Sequence, residues 1–402
     1  MRRPVLLPVL LAAGLVAAAA CSSGADSRAV RTGATPSQTS GILKTPQRVV
    51  QIGDSIASGE GIDYGYTYNP DSREWTGGDL NATWAEPYQG CHVSDITHGL
   101  AYGSRVATFF HATFTQFACS GATFANGVRA PQLSNGNVLR PAQFGDYTAK
   151  TNLNAAYDEA NPDLVLVTLG ADDVQFSAIV EHCIYNAYYY YFGVSKEECI
   201  STNPGTTIQQ DFFDYLPTLR KDYATLIGWI QQRARDHNQP VPKVVFTTYA
   251  NPLPDSGVKC PDVSWLYPAQ VDYLSSLVGM MDQTIIASMP VGGRGVTVAD
   301  IQKAYRPLDA DHRFCSSDPW VYGLSIYHLT DRSSFKSQAP FHPTPSGQQS
   351  IADFVAPAVV RLFNTPLENP AAPTSPSSST TGSTAAPSTT SSSSSTTTTS
   401  SP

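Results

Sequence analysis

The sequence predicts an α/β fold, a three-layer α/β/α sandwich in which helices cover both faces of a five-stranded parallel sheet. Five short apolar runs, each bounded by loop-forming residues, have the length of buried strands. They are residues 48–52, 113–118, 163–169, 243–249 and 295–299. Three of these runs are nearly unbroken in Val, Ile, Leu and Thr, which is typical of strands covered on both faces.

An amphipathic helix is predicted between the third and fourth runs. Apolar side chains recur there at three- and four-residue steps, which is the period of one helix face. The stripe consists of Leu216, Leu219, Tyr223, Leu226, Ile227 and Ile230. Because strands alternate with helices, we expect parallel strands and a ligand site outside their carboxyl ends.

The start of the chain has the layout of an export signal. Residues 1–21 begin with Arg2 and Arg3, continue through an apolar stretch and end in small residues. The last four, Ala-Ala-Ala-Cys, resemble a bacterial lipobox, in which Cys21 would carry lipid. Ordinary secretion with cleavage nearby, a retained N-terminal anchor and a chance cysteine remain as alternatives.

The two flanks of the predicted domain are of low complexity. Residues 22–45 are polar and rich in small side chains, which predicts a flexible tether. Residues 365–402 are nearly all Ser, Thr, Pro and Ala, and they cannot bury enough apolar surface to offset the entropy of ordering, so we predict a disordered tail. Residues 46–364 are left as the folded domain. The predicted location is the outer face of the bacterial cytoplasmic membrane, as a lipoprotein, or outside the cell.

Charge and cysteine spacing exclude some classes of partner. The formal net charge is −8, and no run of Lys and Arg is present, so electrostatics give no reason to expect nucleic acid. The cysteine spacings do not fit a zinc site, and we expect no metal, no cofactor and a monomer. If Cys21 carries lipid, six cysteines remain, which should form disulfides in an exported chain. The sequence by itself leaves their pairing open.

A serine follows the first predicted strand directly. It is Ser55, in the segment GDSIASGEG of residues 53–61. A serine at this place can be held exposed at the start of a helix, where unpaired amides face a developing negative charge. A strand-to-helix turn capped by serine is the structural alternative. The segment is not the GxSxG elbow of α/β-hydrolases, because Ala57 stands where the second glycine would be.

Four segments in order resemble the conserved blocks of the SGNH (GDSL-type) hydrolases, and GDSxASGEG is similar to their actinobacterial secreted lipase and esterase branch. The segments are residues 49–61, residues 118–123 (ACSGAT), residues 169–176 (LGADDVQF) and residues 341–347 (FHPTPSG). Together they span nearly the whole predicted domain. The resemblance implies a flavodoxin-like SGNH fold and a serine hydrolase that cleaves carboxylic esters without a cofactor.

The resemblance also implies a role for each matching residue. Ser55 would be the nucleophile and His342 its general base. The backbone amides of Ser55 and Gly121 would form the oxyanion hole, with residue 172 as its third donor. Six cysteines would pair sequentially, as Cys91–Cys119, Cys183–Cys199 and Cys260–Cys315.

Two positions depart from the family pattern. Asp172 stands where the family has Asn, and an ionised carboxylate has no proton to donate to an oxyanion. Burial could raise its pKa enough to keep a proton. Ala339, three residues before His342, stands where many members carry the Asp of a triad. We therefore expect a main-chain carbonyl of Ala339 or a neighbour to orient His342, which gives a Ser55–His342 dyad, with Asp331 as the alternative.

The leading hypothesis is an exported ester hydrolase acting on lipid or acylglycerol-type esters. The membrane would be a partner only through the lipid anchor. One alternative is a cell-envelope polysaccharide O-deacetylase, since the family contains both activities. The other is a degenerate site that binds acyl or glycan ligands without turnover, since two family positions are altered.

Overall fold

The structure is a computed structural model that describes residues 44–78, 89–94, 100–191, 207–264, 266–290, 295–328 and 339–364. Its strands are β1 (Arg48–Gly53), β2 (Tyr66–Asn69), β3 (Glu74–Gly77), β4 (Thr113–Gln116), β5 (Gln132–Ser134), β6 (Asn137–Arg140), β7 (Leu164–Thr168), β8 (Lys243–Thr247) and β9 (Val296–Ala299). Its α-helices are α1 (Ser55–Ser58), α2 (Tyr102–Phe109), α3 (Ala155–Ala160), α4 (Phe176–Tyr191), α5 (Thr207–Asp236), α6 (Pro268–Ser288) and α7 (Pro345–Asn364).

Five strands form the central sheet, in the order β4-β1-β7-β8-β9. Every neighbouring pair is parallel. This is the order of flavodoxin-like sheets, in which the chain reverses direction across the sheet after its first two strands. The predicted five-stranded parallel sheet is confirmed. Four strands lie inside the predicted runs, and β1 continues one residue further, to Gly53.

Helices cover both faces of the sheet. Successive strand residues point to opposite faces, and the buried ones separate into two clusters accordingly. Val50, Val165 and Phe246 pack with the side of the molecule formed by α4, α5 and α6. On the other face, Val49 and Leu166 pack with residues of α2 and α7. The predicted three-layer arrangement is therefore confirmed.

The apolar stripe predicted between the third and fourth strands lies on α5. Leu219, Tyr223, Leu226 and Ile230 are at most 1% exposed, and they belong to the same buried cluster as the strand residues. Burial of this face explains why the helix follows the three- and four-residue spacing of the sequence.

Two disulfides are described, Cys91–Cys119 and Cys260–Cys315. Both are pairs that the resemblance implied. Cys183 is also disulfide-bonded, and its predicted partner Cys199 lies outside the described residues. The predicted export signal with Cys21, the tether up to residue 43 and the predicted tail also fall outside them. Within the described part of the chain, no helix combines the length and the apolar character that crossing a membrane requires.

Candidate active site

The carboxyl end of β1 places Ser55 at the first turn of α1. The turn between them is tight, because a Cβ built on Gly53 would lie only 2.2 Å from the carbonyl oxygen of Thr168 on the neighbouring strand. Only glycine fits this approach. The Asp54 side chain then accepts a hydrogen bond from the amide of Ile56 at 3.1 Å and caps the helix. Ser55 is thereby presented at the edge of the sheet where ligands bind in folds of this kind.

The histidine predicted to act with Ser55 lies next to it. The Nε2 atom of His342 is 2.7 Å from the Ser55 Oγ, although 287 positions separate the two residues in the chain. His342 lies just before α7, in a segment paired with residues 320–322 through backbone hydrogen bonds. Tyr322 donates its amide to the carbonyl of His342, and Phe341 donates its amide to the carbonyl of Tyr322. Backbone hydrogen bonds to residues 320–322 therefore fix the loop that carries the imidazole of His342.

A main-chain carbonyl lies at the other ring nitrogen of His342. The Nδ1 atom is 3.1 Å from the carbonyl oxygen of Pro340, the neighbour of Ala339. Because a carbonyl oxygen only accepts, this contact places the ring hydrogen on Nδ1 and leaves Nε2 to accept the Ser55 hydroxyl. Asp331, the alternative partner, lies outside the described residues.

Gly121 lies in the loop that follows β4 and lines the same cavity as Ser55. Cys119 donates its amide to the carbonyl of Gly53, Ser120 donates its amide to the carbonyl of Cys91, and the Cys91–Cys119 disulfide ties the two segments together. Gly121 has a φ of 73°, which favours glycine. Within the described ranges, the amides of Ser55 and Gly121 donate to no protein acceptor. They are two unpaired donors in one cavity.

Asp172 lines the same cavity, in the turn between β7 and α4. Its Oδ1 atom is 3.4 Å from the Ser177 hydroxyl, which is a weak contact. Burial raises the pKa of Asp172 to about 6. The carboxyl therefore gains or loses its proton close to the physiological range, and its ability to donate a hydrogen bond depends on pH.

Two neighbouring carboxyls are buried near Asp172. Burial raises the pKa of Asp54 well above its ordinary value, and the charge of Asp172 raises it further. Burial also raises the pKa of Asp173 to about 7, although this carboxyl accepts a hydrogen bond from the amide of Phe124 at 2.9 Å. Asp173 thus connects the turn after β7 with the loop that carries Gly121.

Two connecting residues were not identified from the sequence. Tyr249, just past β8, donates its hydroxyl to Asp54 and accepts the amide of Ala171 at 3.1 Å. Gln348 of α7 donates to the carbonyl of Ile56 at 3.0 Å, so it joins the helix after His342 to the helix of Ser55. The one sequence feature that could have pointed to Tyr249 is its position just after a buried strand. No feature of the surrounding sequence indicates that Gln348 makes this contact.

The cavity in front of Ser55 has a volume of about 530 Å³. Its apolar lining consists mainly of Phe176, Val180, Val278, Met281, Phe341 and Ile351. Its polar lining includes Ser55, Gly121, Asp172 and Glu181. Burial raises the pKa of Glu181 as well. In the part of the chain that is described, no group of three or more His, Cys, Asp or Glu residues is arranged to hold a metal ion.

Comparison with known proteins gives structural matches only. The sequence matches no family model and none of the curated proteins. An extracellular lipase from Streptomyces rimosus is 19% identical, with a TM-score of 0.48 over 78% of this chain and 99% of the lipase. A phospholipase A1 from Streptomyces albidoflavus NA297 is also 19% identical, with a TM-score of 0.47 over 79% of this chain and 98% of the phospholipase. A putative GDSL-like lipase from Parabacteroides merdae is 11% identical, with a TM-score of 0.32 over 80% of this chain and 98% of that protein.

Proposed function

We propose that this chain is an SGNH-type serine hydrolase that cleaves carboxylic esters through an acyl-enzyme. The observation that carries the proposal is the 2.7 Å contact between Ser55 Oγ and His342 Nε2, beside two unpaired backbone amides. A nucleophile within hydrogen-bond distance of an oriented base is the arrangement that activates a serine. Amides that have no protein acceptor can bind the negative oxygen of a tetrahedral intermediate.

In the proposed reaction, a named residue acts at each step. The Ser55 oxygen attacks the ester carbonyl carbon while its proton passes to His342 Nε2. The amides of Ser55 and Gly121 bind the resulting oxyanion. When the intermediate collapses, the carbon–oxygen bond to the alcohol breaks and His342 protonates the leaving alcohol. Water then attacks the acyl-enzyme, His342 takes its proton, and the acid leaves as Ser55 recovers the proton.

The base is oriented by the Pro340 carbonyl, which makes the pair a Ser55–His342 dyad. A neutral carbonyl fixes the tautomer of the imidazole but stabilises the imidazolium less than a carboxylate does. A lower turnover than that of a full triad is the expected consequence.

Asp172 is the third oxyanion donor when its carboxyl carries a proton. Below a pH of about 6 the protonated carboxyl donates a hydrogen bond, and above it the carboxylate repels the developing oxyanion. The proposed role of Asp172 therefore predicts that activity falls as pH rises through about 6.

Lipid or acylglycerol-type esters are the proposed substrates. The cavity of about 530 Å³ carries Phe176, Val180 and Met281, side chains that can cover an acyl chain. A series of p-nitrophenyl esters from acetate to long acyl chains tests this proposal. Turnover that rises beyond the shortest esters supports it, whereas hydrolysis of acetate alone would favour the polysaccharide O-deacetylase.

Labelling with a fluorophosphonate tests the chemistry itself. The reagent reacts with activated serines, so the wild-type chain should be labelled and the Ser55→Ala variant should not. Absence of labelling in the folded wild type would favour the degenerate, ligand-binding alternative.

We also place the protein outside the cytoplasm, anchored through lipid on Cys21 or secreted. The disulfides support export, because such bonds persist in oxidising compartments. Lipidation of Cys21 and the monomeric state remain predictions. Partition of the wild type into a detergent phase, and of Cys21→Ala into the aqueous phase, is the result that lipidation predicts.

A further inference from the structure

The cavity in front of Ser55 carries negative charge on its lining. Asp172 and Glu181 both line it, and no Lys or Arg is among the described residues that do. His342 also lines it, and its imidazole must be neutral to act as a base. When the two carboxyls are ionised, the cavity therefore has a net negative charge.

Glu181 lies on the side of α4 that forms one wall of this cavity. The residues of α4 that line it are Phe176, Ser177, Val180 and Glu181. Their spacing of three and four residues places them on one side of the helix. Glu181 is one turn beyond Ser177, about 6 Å along the helix axis. Because Ser177 is the residue that contacts Asp172, at 3.4 Å, Glu181 lies farther along the wall than the third oxyanion position.

The carboxyl of Glu181 is not neutralised by the protein. Within the described residues its side chain makes no hydrogen bond and no ion pair, and the residue is exposed, so the carboxyl can ionise in contact with water. Partial burial is the only cause that raises its pKa. No cation in the described part of the chain therefore lies close enough to offset the charge of Glu181.

Aromatic side chains line the same cavity. Phe176 and Phe341 both do so, and both are partly exposed. The face of an aromatic ring attracts an ammonium cation, and most strongly where water is excluded. A carboxylate without a partner and aromatic rings in one cavity are a combination that recognises a substituted ammonium, whereas a negative group is repelled by that carboxylate.

We infer that this site prefers ester substrates that carry an ammonium group, and that Glu181 is the residue that determines the preference. The inference rests on the proposed ester hydrolysis and names a substrate class for it. The ester carbonyl lies at Ser55 and the ammonium at the Glu181 end of the cavity, while the apolar lining covers the acyl chain. Esters with an anionic group are rejected because the same carboxylate repels them.

Hexanoate esters of three alcohols test the preference at low ionic strength. The alcohols are choline, 3,3-dimethylbutanol and 2-hydroxyethanesulfonate, which are similar in size and are cationic, neutral and anionic. In Glu181→Gln, the ratio of kcat/KM for the choline ester to kcat/KM for the neutral ester should fall by about fivefold or more, mainly through KM. The intrinsic reactivities of the esters cancel, because the same esters are compared in both enzymes.

Glu159→Gln is the matched control for this substitution. It removes the same charge from an exposed position on α3 and should keep the wild-type ratio. An unchanged ratio in Glu181→Gln, or an equal fall in both variants, overturns the inference.

Reversal of the charge provides the second test. In Glu181→Lys the anionic ester should gain on the choline ester relative to the wild type, because the cavity then carries a cation at this position. The gain should shrink at about 0.5 M salt, where charges in contact with water are screened. If Glu181→Lys instead slows all three esters alike, Glu181 has only a structural role and the inference is wrong.

Binding without turnover separates this inference from the proposed hydrolysis. Calorimetric titration of Ser55→Ala with choline hexanoate should show saturable binding that is about fivefold weaker in Ser55→Ala/Glu181→Gln. Hydrolysis of the esters that does not depend on Glu181 refutes the ammonium preference and leaves the proposed hydrolysis intact. Binding by Ser55→Ala that depends on Glu181, without hydrolysis by the wild type, supports ammonium recognition and contradicts the proposed hydrolysis.

Discussion

Tyr249 donates its hydroxyl to the carboxyl of Asp54, the residue immediately before Ser55. The same hydroxyl accepts the amide of Ala171, next to Asp172. One side chain, just past the end of β8, thus holds both the turn that carries Ser55 and the turn that carries Asp172. The backbone amide of Tyr249 donates to the buried carboxyl of Asp282 on α6.

Tyr249→Phe should lower both stability and activity. The substitution leaves a carboxyl oxygen of Asp54 and the amide of Ala171 without their partner, and each unsatisfied buried group costs about 1–3 kcal/mol. We expect the free energy of unfolding to fall by that order, and kcat to fall because the turn of Ser55 loses its support. Denaturant titration and ester kinetics measure the two effects.

Tyr305→Phe is the matched control for that change. Tyr305 is 2% exposed, and its hydroxyl makes no hydrogen bond within the described part of the chain. Its loss should therefore change stability much less than the loss of the Tyr249 hydroxyl. Equal losses of stability for the two substitutions would show that the link from Tyr249 to Asp54 contributes nothing to the free energy of unfolding.

Asp172→Asn should speed ester hydrolysis at neutral pH. With a pKa of about 6, only about a tenth of Asp172 is protonated at pH 7, whereas asparagine donates at every pH. The expected gain in kcat/KM at pH 7 is about tenfold, and the decline of the wild type as pH rises through 6 should disappear. Glu181→Gln removes a charge from the same cavity and should keep the decline. A slower Asp172→Asn enzyme would mean that the carboxylate has a function of its own.

Asp262→Asn should stabilise the protein, and more so as pH rises. Burial raises the pKa of Asp262 to about 6, so the native state binds this proton more tightly than the unfolded chain does. Stability is then lost as pH rises from about 4 through 6, by an amount of order 3 kcal/mol for a shift of about two units. The amide keeps the Oδ1 that accepts from Ser325. Denaturant unfolding at about pH 5 and about pH 7.5 measures the difference.

A substitution at an exposed carboxyl is the control for this dependence. Asp272→Asn on α6 removes a charge from an exposed position and should leave the pH dependence of stability unchanged. If the advantage of Asp262→Asn were the same at both pH values, ionisation of the buried carboxyl would not be its source.

The sheet and the amphipathic stripe could be predicted because each leaves a local signal, whereas the pairing of Ser55 with His342 was implied only by the resemblance of four segments to a known family. Buried strands leave unbroken apolar runs, and a half-buried helix leaves a periodic stripe. The contact between Tyr249 and Asp54 spans 195 positions and has no such signal. The same is true of Trp75, whose ring packs 4.8 Å from that of Tyr322 and supports the segment paired with His342. Such contacts exist only once the sheet has brought distant turns together.

The carbonyl of Pro340 illustrates what the sequence can and cannot predict about the partner of His342. The missing carboxylate at position 339 predicted that a main-chain oxygen would orient His342, and the nearest described acceptor is the carbonyl of the next residue. Which carbonyl reaches the ring depends on the backbone angles of the loop. Phe341 has a φ of 71°, which is unusual for a residue other than glycine. No feature of the sequence predicts this backbone angle.

Asp331→Asn should leave turnover nearly unchanged if the Pro340 carbonyl orients His342. A variant of a triad aspartate loses about four orders of magnitude in kcat, because the imidazole takes the wrong tautomer. We expect a change below about threefold for Asp331→Asn in ester hydrolysis. Ser55→Ala, measured in parallel, sets the background. A loss approaching that of Ser55→Ala would assign Asp331 to a triad.

Replacing Cys91 and Cys119 by serines should lower the activity under conditions in which the central sheet is still folded. The bond closes a separation of 28 residues, and its loss should lower the free energy of unfolding by about 2–4 kcal/mol. It also ties the loop of Gly121 to residues 89–94, so without the bond Gly121 should move more freely, and kcat should fall if its amide binds the oxyanion. Cys260→Ser/Cys315→Ser removes the other described bond, which lies outside that loop. At denaturant concentrations where both variants remain folded, an equal fall in kcat for the two would show that the first bond does not position Gly121.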